Sequence, residues 1–221
     1  YGDMMNAIAL RMNAIPPAAA MVGIYTMVDA DRGVWKAPAN VSLNSVTSPM
    51  VSVSADEQED LNVTPQGKSV NAIRPCVGEG TLVWGARTLD GNSLDWRYIN
   101  VRRTMIMMEE SIRLAAKAYV FEPNTANTWV TMQSMIENFL TGIWKQGGLA
   151  GAVPEDAFSV HVGLGETMTA VDLLAGILRI TVLVAVVRPA EFIEITFQPH
   201  MQQSYGSRGV TPWQMIAQPS R

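Results

Sequence analysis

The 221 residues contain one cysteine, two histidines and no run of basic residues. The single thiol, Cys76, excludes an internal disulfide and any site built from several thiolates. His161 and His200 lie too far apart for the HExxH spacing of a zinc helix. Charged residues make up only 16% of the chain and the net charge is −4, which argues against a nucleic-acid partner. The densest basic group, Arg97, Arg102 and Arg103, is ordinary for a helix start. No apolar stretch approaches the ~18–20 residues of a membrane span, and no signal peptide is visible. The greasiest stretch, ILRITVLVAVV (177–187), carries Arg179 and is rich in β-branched residues, so it reads as a buried strand. The chain opens on Tyr1, and we expect a fragment or a processed product.

What is present is a globular composition, 48% hydrophobic, in elements of two kinds. Met5, Ile8, Ala9 and Met12 predict a helix over 3–13, stopped by Pro16-Pro17, with a second over 18–33 ended by Gly33. Ser54 to Glu57 and Thr169 to Asp172 have capping-box spacing and predict two short helices. Residues 68–89 read as a hairpin around Gly78-Glu79-Gly80. Two long helices follow. Val101, Met105, Met108, Ile112, Ala115 and Tyr119 step by fours and threes, as do Trp129, Met132, Ile136, Phe139 and Ile143. FEPN (121–124) joins them as a tight connection for an antiparallel pair. Strands are expected at 157–163, 177–188 and 191–201, with a flexible tail at 205–221. The class is α+β, a mixed sheet flanked by two long antiparallel helices. The fourteen methionines are expected to be mainly core.

A search for catalysis finds nothing. Gly78-Glu79-Gly80 and Gly163-Leu164-Gly165 lack the spacing of phosphate loops and read as turns. There is no GxSxG elbow, and His161 alternates with Val160 and Val162 as an outward strand residue. Glu109 and Glu110 are adjacent on a helix and point in different directions. No catalytic, cofactor or metal residue is assigned.

The segment AEFIEITFQPHMQQS (190–204) is the odd one. Ile193, Ile195, Phe197 and Met201 share one parity, the period-2 mark of a half-buried strand. Pro199 cannot donate to a ladder, which puts the strand at a sheet edge or outside its own sheet.

Five stretches in order, RGVWKAPAN (32–40), VWGARTL (83–89), WRYINVRR (96–103), FEPN (121–124) and VVRPAEF (186–192), resemble the C-terminal domain of contractile tail sheath proteins. This family serves myophages, tailocins and extracellular contractile injection systems, and FIEITFQPHMQQS looks most like the injection-system branch. The similarity runs from about residue 14 to 204. Family members are longer at the N-terminus and stop near 204. The resemblance implies a structural, non-enzymatic subunit without cofactor. Such a subunit polymerises helically around an inner tube and contracts to drive it through a target membrane. Its partners would be further copies, the tube, the baseplate and a terminal cap, with no nucleic acid and no direct membrane insertion. Its place would be a phage tail or tail-like particle, assembled in the bacterial cytoplasm and, for injection systems, released. A different self-assembling tail component, tube or baseplate, and an enzyme domain with an unrecognised site are the rival readings.

The expected organisation is a domain over 1–204, with a core at 14–190 and an arm at 191–204 that completes a neighbour's sheet. Ile193, Ile195, Phe197 and Met201 would be the buried side of that arm. Arg32, Trp35 and Lys36 are expected to be structural, with Trp35 packed inward and the two cations facing solvent or another subunit. The helix at 169–176, with Thr169 and Asp172, is the candidate tube contact.

Overall fold

A computed structural model describes residues 1–44 and 46–195. Phe197, Met201 and the expected tail at 205–221 lie outside the described residues. The chain divides into two units, Tyr1–Pro189 and the segment from Ala190 onward.

The first unit holds two hydrophobic cores. Helix α1 (Gly2–Asn13) precedes the Pro16-Pro17 break and buries none of its residues. Helix α2 (Ala18–Arg32) ends where Gly33 takes φ +88°. It packs Ile24 and Val28 against Leu43 and Val83 to form the smaller core. That core lies on an antiparallel sheet in the order β1 (Val41–Ser42), β3 (Gly80–Trp84), β2 (Ala72–Cys76). The β2–β3 hairpin turns at Gly78, φ +82°, a conformation that glycine adopts without a Cβ penalty. Helix α3 (Ala55–Asn62) starts on a complete capping box: Ser54 accepts from the Glu57 amide, and Glu57 accepts from that of Ser54.

The larger core joins α4 (Ile99–Ala116), α5 (Ala126–Lys145), α6 (Pro154–Ala157) and a second antiparallel sheet, β4 (Phe158–His161) with β5 (Thr181–Val184). Met108 of α4 meets Ile136, Leu140 and Ile143 of α5, together with Leu149, Ala157 and Val160. A single 3-10 turn, Lys117–Tyr119, and the FEPN connection separate the two helices. Helix α7 (Ala170–Leu174) lies between β4 and β5. Among the described residues the strands form two small antiparallel sheets rather than one mixed sheet, and the class remains α+β.

Three expectations need correction. The strand at 177–188 shortens to β5 because its flanks bond elsewhere: the Ile177 amide donates to Asp172 O, and Arg179 O accepts from Thr167. Among the described methionines only Met108, Met132 and Met168 are buried, whereas Met4, Met5 and Met12 of α1 and Met50 of a loop are exposed, because those segments present no facing element. The helical run Gly2–Arg32 is apolar and long enough, by those two criteria, to cross a membrane. A search for uninterrupted apolar runs passes over it because polar residues and two prolines interrupt it. Its second half is committed to the domain through Ile24, Val28 and the pairing of Asp29 with Arg103.

Leu140 is fully buried at the centre of the larger core. Leu140→Ala should cost about 2–5 kcal/mol, from lost burial plus the cavity left behind. Urea unfolding should show a lower midpoint at unchanged slope.

Candidate functional site

Four of the five stretches that resemble sheath domains come together around the first turn of α4, while FEPN lies beyond its far end. The chain enters that helix alongside the end of the hairpin: Thr88 N–H donates to Arg97 O at 2.7 Å and Ile99 N–H to Ala86 O at 2.9 Å. Asn71 clasps the hairpin exit, accepting from the Arg87 amide and donating to Arg87 O, both at 2.8 Å. One residue into α4, Asn100 is almost completely buried. Its amide nitrogen donates to Trp35 O at 2.8 Å and to Val187 O at 3.1 Å. Two carbonyl acceptors fix which end of the side chain is nitrogen, and an NH2 group is the short neutral group that supplies two donors. Asn100 thereby ties RGVWKAPAN, the start of α4 and VVRPAEF to one point.

Trp35 packs against the larger core. A Cβ at Gly33 would come within 2.4 Å of the indole, and one at Gly148 within 2.9 Å. Gly33 also has φ +88°, so both space and backbone conformation require glycine there. Arg32 is exposed as expected. Lys36 is half-buried, and its ammonium donates to Ala37 O at 3.3 Å, so it serves the loop rather than facing solvent. One turn beyond Asn100, Arg103 forks onto both oxygens of Asp29 at 2.8 and 2.5 Å and lies over the Tyr25 ring. This pair, which also holds the Arg103 guanidinium above its ordinary pKa, locks α2 to α4.

At the far side of the larger core, β5 presents an edge. Ala185 N–H donates to Ala157 O, and Ala185 O accepts from Ala150 N–H. Residues 181, 183 and 185 therefore turn their amides toward β4, while Val182 and Val184 turn theirs the other way. Among the described residues no strand pairs with that second edge. Beside it runs an apolar groove of about 320 Å³, lined by Met105, Met108 and Ile112 of α4, Leu140 of α5, and Val182 and Val184. The opposite edge is partly closed, since Gln133 of α5 donates to Val160 O at 3.1 Å.

The expected arm has no strand in its described part, residues 191–195. Phe192, Ile193 and Ile195 are 73%, 80% and 67% exposed. A lone extended segment cannot satisfy its own backbone groups, so strand structure there requires a partner.

Thr169 and Asp172 close a capping box on α7. Asp172 accepts from the Thr169 amide at 2.9 Å and its hydroxyl at 2.8 Å, and from Arg179 at 3.0 Å. Both side chains are spent on local order. The outward surface of α7 is instead Val171 and Leu174, and the FEPN turn is tied nearby through Asn124, which donates to Ile177 O at 3.1 Å. In that turn Phe121 sits at φ +74° with its ring fully exposed.

A grouping not anticipated from sequence lies on β4. His161 Nδ1 contacts Glu166 at 2.6 Å and its Nε2 contacts Ser159 Oγ at 3.2 Å. The line of groups resembles a hydrolytic triad, but it lies on a half-exposed strand face, and none of the three lines the apolar groove. No group of three or more metal-ligating side chains occurs among the described residues.

The capping bonds from Thr169, with Arg179 beside them, hold the Asp172 carboxyl down at about 2 from an ordinary 3.8. A lowered folded pKa means that the carboxylate stabilises the fold above the ordinary value, and that this contribution is lost as pH falls through about 2. Carboxyl NMR titration should place the Asp172 midpoint near 2 and return it toward 3.8 in Thr169→Val.

The profile of the phage tail sheath C-terminal domain matches residues 92–199. The tail sheath protein of Burkholderia phage BcepMu is 26% identical over 156 residues, 68% of this chain and 32% of the relative. A putative prophage major tail sheath protein of Pseudomonas aeruginosa is 25% identical over 61% of this chain and 34% of its own. Among solved structures, the sheath complex of the extracellular contractile injection system PVC, in its contracted state, is 44% identical with a TM-score of 0.81, covering 86% of this chain and 52% of that one. The contracted helical sheath of the anti-feeding prophage is 45% identical with a TM-score of 0.76, covering 83% and 50%. The chain thus spans about half the length of these solved sheath chains and about a third of the curated relatives. The matched profile, and a fold held in common with solved sheath chains at 44–45% identity, support a contractile tail sheath C-terminal domain.

Proposed function

We propose that this domain is the inner layer of a structural sheath subunit that polymerises helically around a rigid tube. The observation that carries this reading is the pairing of a free strand edge with an exposed apolar arm. Val182 and Val184 offer unpaired backbone groups above a groove lined by Met105, Met108 and Ile112. An arm from a neighbouring copy, with Ile193, Ile195, Phe197 and Met201 on one face, would add a strand there and fill the groove. Each buried side chain would contribute roughly 1.5–3 kcal/mol before ordering costs. About five ladder bonds at ~1 kcal/mol add a similar amount. An unoccupied edge of this kind invites pairing with other chains, so occupation by a neighbour also protects it.

Contraction requires subunits to rotate and slide without separating. Backbone ladders between copies meet that demand, because they resist pulling apart while the linkers between them flex. The stroke would drive the tube through a target membrane without any cofactor. Baseplate and terminal cap proteins would close the two ends of the polymer. The particle would be assembled in the bacterial cytoplasm and, in an extracellular injection system, released. Val171 and Leu174 on α7, with the FEPN turn beside them, are the surface proposed to face the tube. In this reading Thr169 and Asp172 shape that surface rather than touch the partner.

Electron microscopy of the assembled protein tests the reading. Hollow helical polymers of sheath width are expected; narrow tubes, stacked rings or discrete small particles would overturn it in favour of another tail component or an enzyme. Removing residues 191–204 should abolish these polymers while leaving the folded domain, and normal polymers without the arm would refute strand exchange. A photo-cross-linker at Leu174 should label the tube protein in assembled particles. Adducts confined to sheath subunits would remove α7 from the tube interface.

A further inference from the structure

We propose that Asn100 is the residue that positions the arm, fixing its root so that bending is confined to Pro189 and Ala190. This inference rests on the strand-exchange reading for its purpose, but its geometry stands independently. From β5 outward the chain is held at three successive points. Ala185 bonds both Ala157 and Ala150 through its backbone. Val187 O accepts from the buried Asn100 amide. Arg188 then pairs with Asp95 at 3.6 Å, five residues before Asn100. Beyond Arg188, Pro189 cannot donate, has a fixed φ, and biases Arg188 toward an extended backbone. The boundary between the two units falls immediately after it, between Pro189 and Ala190.

The three holds are unequal. Arg188 and Asp95 are more than half exposed, and an ion pair at that exposure contributes little. Asn100 is 1% exposed, so loss of its donors would take from Trp35 O and Val187 O the partner that this buried side chain supplies. The side chain also makes the root and the RGVWKAPAN loop share one support, the first turn of α4. A pull on the arm is therefore delivered to α4, and through Arg103 and Asp29 to α2, rather than to β5 alone. Hinges work through a few positions that absorb dihedral change next to rigid anchors. Here the anchor is an amide, and the position that absorbs the change lies two to three residues beyond Val187.

Backbone amide relaxation on the chain as it stands provides the test. In the wild type, order parameters should stay near ~0.85 through Arg188 and fall below ~0.6 over residues 190–195. A decline that begins before Val187 would overturn the proposal. Asn100→Asp keeps the shape, removes both donors and faces a carboxylate toward two carbonyls. Its order parameters should fall together at 34–37 and 186–188, while Ser159 and Leu183 in the β4–β5 ladder keep theirs. Loss at neither segment, or equal loss everywhere, would refute a positioning role. If Asn100→Asp does not fold, the wild-type profile still decides. These readouts do not depend on exchange between copies, so failure of the clamp is separable from failure of the sheath reading.

Discussion

Two hydrogen bonds from one buried amide hold the functional half of this domain together. Asn100 supplies a donor to Trp35 O and a donor to Val187 O, at 2.8 and 3.1 Å. Around it the hairpin exit pairs with the entry to α4, the indole of Trp35 packs between Gly33 and Gly148, and Arg103 grips Asp29 one turn on. Each donor of the buried amide needs its carbonyl in place, so the position demands an arrangement rather than merely a volume. That explains how stretches scattered from residue 32 to residue 192 share a family pattern. Several of them are the walls of one junction.

The other half of the account is an imbalance. Among the described residues, the larger core is closed on its α5 side, where Gln133 caps the Val160 carbonyl, and open on the β5 side, where backbone groups and an apolar groove face outward. The segment from Ala190 onward begins with exposed Phe192, Ile193 and Ile195. A domain with an empty edge and an exposed apolar strand-former has a surplus and a deficit that match in chemistry. Pairing the two between copies gives a polymer held by ladders, which tolerates rotation of its subunits better than isolated charge pairs do.

Much of this was legible in the sequence because it is local. The 3.6-residue stripes of α4 and α5, the two capping boxes and the Gly78 turn depend on residues within a few positions of one another, and each formed where its pattern placed it. What was not legible depends on distant partners. Asn100 reads as an ordinary polar residue at a helix start, and nothing nearby shows that its acceptors lie at 35 and 187. His161 was read as an outward strand residue, and nothing nearby showed that it meets Glu166 across a turn and Ser159 two residues back on the same strand face. Thr169 and Asp172 were read correctly as a cap, and the cap itself explains why they have little left to offer a partner. Methionine was expected inside, but spacing alone cannot tell whether a stripe has a facing element, and that of α1 has none among the described residues.

The central claim is that the arm pairs with a different copy of the chain, and one mixing measurement addresses it directly. Two populations would be prepared in a Cys76→Ser background, one with Glu194→Cys and the other with Leu183→Cys, both on the sheet face away from the groove, and co-assembled before treatment with a short thiol cross-linker. Exchange predicts a covalent dimer containing one chain of each kind, formed in assembled particles and absent from dispersed subunits. Cross-linking seen only when both cysteines are placed in the same chain, with no mixed dimer, would show that the arm folds back on its own β5 and would contradict the account.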